Sequence, residues 1–97
     1  MVKIKICGLK RFEDIEIVNR YKPDFIGFVF ADSKRKVSHD LAGKLRSNLR
    51  NGIVPVGVFV DASQDEIIKL FEEGVIDMAQ LHGNESEEYI IELKEKT

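Results

Sequence analysis

The sequence is short of the residues on which several kinds of protein depend. It holds one cysteine, two histidines, two prolines and no tryptophan in 97 residues. One cysteine cannot close an internal disulfide, which excludes a disulfide scaffold and agrees with a reducing, cytoplasmic setting. A thiol redox role also lacks the second cysteine that resolves a mixed disulfide. Neither His39 nor His82 has a second histidine or an acid at metal-ligand spacing, so no metal site is expected. Gly27, Gly57, Gly74 and Gly83 stand singly, and no glycine-rich phosphate loop is present. No apolar run approaches the roughly 20 residues of a membrane span, and the lysine-bearing amino terminus is not a signal peptide. Net charge is only −2, with both signs interspersed, so neither nucleic acid nor a membrane surface is implied as partner.

What is present describes one small domain over residues 1–97, without a linker or internal boundary. The apolar share of 43% and the charged share of 33% are ordinary for a soluble globular chain that buries a modest core. Lys3 to Ile6 alternates as a short strand and runs into Cys7 and Gly8. The alternation sets Lys3, Lys5 and Cys7 on one face and Ile4 and Ile6 on the other. Phe12, Ile15 and Val18 mark a helix over about 12–20, whose start has Lys10 and Arg11 where a capping hydroxyl would serve. Acidic Glu13 and Asp14 favour that first turn through the helix dipole, and Pro23 ends the segment.

Phe25 to Phe30 is an apolar run suited to a parallel strand covered on both faces. The following loop carries Lys34, Arg35 and Lys36, the densest basic cluster. Ser38 then caps a second helix with the stripe Leu41, Leu45 and Leu49, which Asn51-Gly52 is expected to end. Ile53 to Val60 is the third strand, with Val54, Val56, Val58 and Val60 on one face and Pro55 near its beginning. Ser63 and Glu66 have capping-box spacing ahead of Ile67, Leu70 and Phe71, and Gly74 closes that helix. Val75 to Leu81 is the fourth strand. Asn84 and Glu87 then precede a last amphipathic helix with Tyr89, Ile90 and Leu93.

Four strand–helix units at spacings of about 20 to 30 residues predict parallel pairing with helical crossovers. They make either a small open sheet or half of an eight-stranded barrel, which needs roughly 200 residues or more. A half-barrel leaves its first and last strands as raw edges, so self-association through them is expected. A small doubly wound domain is the competing architecture, and its strand order would not be sequential.

The chemistry-bearing groups fall at carboxyl ends of strands or in the loops after them: Cys7, the Lys34–Lys36 cluster, Asp61, and Gln80 with His82 on one face. A lone cysteine is by type a small buried thiol. Beside Gly8, before a helix and among cations, it is also placed to act as base or nucleophile. Arg35 reads either as a solvated loop charge or as a planar fork for a carboxylate. His82 reads as a polar surface or core residue as readily as a ligand contact. Asp61 is expected to be a turn or cap residue rather than a catalytic acid.

Taken together, Lys5-Ile-Cys-Gly8, Gly27-Phe-Val-Phe30, Ser33-Lys-Arg-Lys-Val-Ser38, Val56-Gly-Val-Phe59 and Gln80-Leu-His-Gly83 resemble the first half of the phosphoribosylanthranilate isomerase family in order and spacing. The resemblance covers the whole chain. It implies the α/β fold of a (β/α)8 TIM barrel about twice this length, of which these residues supply the first four units as a parallel four-stranded half-barrel. It also implies an Amadori rearrangement in tryptophan biosynthesis that needs no cofactor or metal. On that resemblance, Cys7 is the general base, Arg35 holds the anthranilate carboxylate of a phosphorylated small-molecule substrate, and Gln80 and His82 line the aromatic end. The family's general acid and its phosphate-binding glycine loops come from the second half, so the 97 residues alone are expected to be inactive. A non-catalytic half-barrel that binds an aromatic carboxylate, or serves as an assembly module, is the alternative from another class.

Overall fold

A computed structural model describes residues 3–81, 83, 90 and 93. Four strands alternate with three helices: β1 Lys5–Cys7, α1 Phe12–Tyr21, β2 Phe25–Val29, α2 His39–Ser47, β3 Val54–Phe59, α3 Gln64–Glu72 and β4 Met78–Leu81. The strands form one parallel sheet in the order β1-β2-β3-β4. That sequential order excludes the doubly wound alternative, whose strand order reverses at a switch point.

The register sorts side chains into two faces. Cys7 pairs with Gly27, Gly27 with Val56, and Val56 with Met78, giving one row across all four strands. Val29, Val58 and Gln80 form the next row toward the carboxyl rim, and Lys5, Phe25 and Val54 lie in the row below Cys7. The other face carries Ile26, Phe28, Pro55, Gly57, Phe59, Ala79 and Leu81. There the core forms: Ile26, Phe28 and Phe59 pack with Ile15 and Val18 of α1, Ala42 and Leu45 of α2, and Ile67 and Leu70 of α3. Ile4 and Ile6 share this face but lie on an edge strand, and they stay 57% and 36% exposed.

Local chemistry explains the boundaries. Ser38 and Ser63 accept hydrogen bonds from the amides of Leu41 (3.1 Å) and Glu66 (3.2 Å), as helix N-caps do. The carboxylate of Glu66 is taken by His39 Nε2 at 2.9 Å, so the capping box is served by its serine. Helix α2 ends at Ser47 rather than at Asn51-Gly52. Ser47 Oγ and Asn48 Nδ2 both donate to the Lys44 carbonyl (2.7 and 3.0 Å), drawing the last turn onto side-chain donors. Gly52, at φ +99°, instead belongs to the turn that launches β3. Leu49 therefore lies past the helix, and the buried stripe is Ala42 and Leu45 with Leu41 half-buried. Gly74, at φ +72°, closes the segment after α3 as expected.

Pro55 sits in an interior strand, yet its carbonyl accepts from Asp77 N (2.9 Å), just ahead of the first residue of β4. The donor it lacks thus falls at the end of the ladder, where its loss costs least. Ile90 and Leu93 have helical backbone, and Leu93 is buried. The other residues of the expected last helix, including Tyr89, and its cap residues Asn84 and Glu87, lie outside the described residues.

Candidate active site at the carboxyl rim

Cys7 ends β1 half-buried on the concave face. Its neighbour in register is Gly27, and the fit depends on the missing side chain: a Cβ there would stand 2.5 Å from Cys7 Sγ. The thiol occupies the space a side chain on β2 would fill. Past it, the amides of Gly8 and Leu9 both donate to the Gly27 carbonyl (2.9 and 3.3 Å), so the chain leaves the strand along a fixed path.

Arg35 reaches the same place from the loop after β2. Its aliphatic stem lies against Gly8, where a Cβ would meet Arg35 Cδ at 2.5 Å, and Gly8 takes φ +88°, a conformation natural to glycine. The loop is tightly turned. Val37 N donates to Val29 O (2.9 Å), Lys36 N to Ser33 O (3.2 Å), and the Arg35 amide to Ser33 Oγ (3.0 Å). Lys36 pairs with Asp32 at 3.3 Å. No side chain among the described residues pairs with the Arg35 guanidinium. The thiol of Cys7, seated on Gly27, and the stem of Arg35, seated on Gly8, are therefore placed at adjacent residues at the end of β1.

Gln80 is on the concave face of β4, one row above Cys7 and three strands away, and its side-chain oxygen accepts from Lys5 Nζ. The ammonium thus spans the hollow of the sheet. Below it lies an apolar depression of about 300 Å³ between Lys5, Phe25, Val56, Met78 and Gln80. His82 lies outside the described residues. Asp61 takes a left-handed turn at φ +50°, and its carboxylate abuts Gly83, where a Cβ would come within 2.5 Å of Oδ1. This is the turn role its position suggested. A second pocket, near Pro23, Asp24, Arg50 and Gly52, opens at the amino-terminal ends of the strands, away from Cys7.

The start of α1 borders the rim and is held by charge. Burial alone would raise the Asp14 carboxyl. Hydrogen bonds from the Lys10 amide, the Arg11 side chain and the Arg11 amide outweigh it and hold the group below its ordinary value. Asp14 in turn raises Arg11. The absent capping hydroxyl is thus replaced by a carboxylate in the first turn.

Three contributors were given no role by the sequence patterns. Gly27 opens one of the family motifs and otherwise stood as an isolated glycine, although a glycine inside a strand signals a close approach. Ser33 opens another motif, without a signal for its hydrogen bond to the Arg35 amide. Lys5 shared the face of Cys7, but its reach to Gln80 depends on sheet curvature.

Four parallel strands in chain order, with helices on one face and the thiol, guanidinium and amide on the other face or its rim, define half of a (β/α)8 barrel. The profile of N-(5'phosphoribosyl)anthranilate (PRA) isomerase matches residues 4–97, and the chain belongs to that family. The isomerase of Endomicrobium trichonymphae is 54% identical over 96 residues, which cover 99% of this chain and 48% of that protein. That of Clostridium acetobutylicum is 52% identical over 97% of this chain and 46% of its own length. The crystal structure of the Thermotoga maritima isomerase superposes on 98% of this chain and 47% of its own, with a TM-score of 0.91 at 33% identity. A phosphoribosyl anthranilate isomerase in complex with reduced 1-(o-carboxyphenylamino)-1-deoxyribulose 5-phosphate superposes at TM-score 0.92 and 33% identity, over 99% of this chain and 50% of that one. The chain therefore spans about half the length of the relatives it matches. Among the described residues, no helix is long and apolar enough to cross a membrane.

Proposed function

We propose that this chain supplies the first half of a phosphoribosylanthranilate isomerase active site. The reaction is the Amadori rearrangement of N-(5-phosphoribosyl)anthranilate to 1-(2-carboxyphenylamino)-1-deoxyribulose 5-phosphate. The observation that carries this reading is the packing of the Cys7 thiol on Gly27 beside an Arg35 whose stem rests on Gly8 and whose guanidinium has no side-chain partner among the described residues. The reaction needs an acid to protonate the furanose ring oxygen, so that the ring opens to an imine. A base then takes the proton from the adjacent carbon, and the resulting enolamine becomes the ketone. Cys7, as thiolate, is the base. Arg35 grips the anthranilate carboxylate through its planar fork, and Gln80, held by Lys5, lines the aromatic end with His82. The solved relative bound to the reduced, phosphorylated product analogue supports this class of ligand. The acid and the phosphate grip fall to the other half of the barrel, so the 97 residues alone turn over no substrate.

The test is complementation. The chain co-expressed with the second half of the Clostridium acetobutylicum isomerase should convert phosphoribosylanthranilate, and Cys7→Ser should lower kcat by about a hundredfold or more, as loss of a general base does. Full activity in Cys7→Ser would overturn the assignment. By itself, the chain self-associates through the unpaired edges of β1 and β4 and the apolar hollow between them. Sedimentation should show a dimer or larger at micromolar concentration, and a stable monomer counts against it.

A further inference from the structure

The side chain of Lys10 lies outside the roles given so far, yet the residue's two ends join the loops on which the candidate site depends. Its amide is fixed to α1 by a 3.0 Å hydrogen bond to Asp14 Oδ2, while its ammonium crosses to the next loop and donates to the Lys34 carbonyl at 2.7 Å. That carbonyl belongs to the residue before Arg35, whose own amide is held by Ser33 Oγ at 3.0 Å and whose stem rests on Gly8. The ammonium keeps this place on the loop that carries Lys34, Arg35 and Lys36, whose Asp32 is already paired to Lys36. Like charges repel, so an anion arriving at Arg35 relieves the cluster that the tether assembles.

We propose that Lys10 is a positioning residue, which ties the loop after β1 to the loop after β2 and so fixes the Arg35 guanidinium for a carboxylate beside Cys7. This rests on the reading of Arg35 as the carboxylate holder, and the test separates the two. Anthranilate and aniline are titrated into the 97-residue chain and into Lys10→Met, Lys10→Arg and Arg35→Met, with 15N relaxation of the loop amides at 31–37 measured alongside. Lys10→Met should weaken anthranilate binding about fivefold, the size of one exposed charge-assisted contact. It should leave aniline binding unchanged and loosen the loop amides. Lys10→Arg, which keeps a charged donor, should bind within about twofold of the parent.

Unchanged anthranilate binding in Lys10→Met, with binding lost in Arg35→Met, overturns the role of Lys10 and leaves that of Arg35 standing. Weaker binding with loop amides as rigid as in the parent reduces Lys10 to a contributor of field and overturns the tether. Equal loss of aniline and anthranilate overturns it as well, because general loosening does not select for the carboxylate. Failure of the parent chain to prefer anthranilate over aniline, or full binding by Arg35→Met, overturns the reading of Arg35 and the role of Lys10 with it.

Discussion

The two faces of the sheet obey different rules. On the convex face, Ile26 and Phe28 are wholly buried and Phe59 is 1% exposed, each under a helix. On the concave face, Met78 remains 48% exposed, and Lys5, which bridges the hollow, reaches the amide of Gln80 rather than a carboxylate. Both faces are built from the same strands by the same alternation, so strand-forming tendency does not distinguish them. What differs is the cover. Among the described residues three helices cover one face, while the other is left open and carries the polar groups of the candidate site. Stability and chemistry are thereby assigned to opposite sides of a single layer.

Substitutions on the two faces should separate these roles most sharply. Phe59 stacks on Phe30 (centroids 5.4 Å apart), and Phe59→Ala should cost about 3–5 kcal/mol by opening a core cavity. Met78→Ala, in the concave row and 48% exposed, should cost no more than about 1 kcal/mol. Urea denaturation compares them, and similar costs would erase the distinction between the faces.

Gly27→Ala probes the concave row directly. The added methyl has no room beside Cys7 Sγ, so the thiol must turn away, at about 1–3 kcal/mol of overpacking. Complemented activity should fall along with it. Retained activity would show that the thiol's seat on Gly27 does not matter.

The smallest effect concerns the rim. The Asp14 carboxyl is held below its ordinary value near 3.8, so its contribution to α1 is fully present above that pH. It disappears as the pH falls through the lower, folded-state value. Asp14→Asn should remove this acid-side loss of stability without altering the neutral-to-basic side. Identical acid limbs in the two proteins would contradict the assignment.

Much of this architecture was legible in the chain because local signals agreed. Period-two apolar strands, the caps at Ser38 and Ser63 and the stop at Gly74 all point to strand–helix units. The family motifs then select a barrel half over an open doubly wound sheet, and the observed strand order agrees. The end of α2 was misplaced because Ser47 Oγ and Asn48 Nδ2 both donate to the Lys44 carbonyl, an interaction that periodicity does not encode. In the site, residue types and strand ends were readable. The seating of Cys7 on Gly27 and of Arg35 on Gly8 was not, since it depends on register between segments about 20 to 30 positions apart.

The sequential strand order also bears on how the molecule comes into being. Lys5 pairs with Phe25, Phe25 with Val54, and Val56 with Met78, so each new strand docks on the one made just before it. Such closures are short for a parallel sheet, and their entropic cost is correspondingly small. During amino-to-carboxyl synthesis, every strand–helix unit can add its share of helix-covered core as it emerges, without waiting for distant sequence. The growing edge, meanwhile, stays open to accept the next strand.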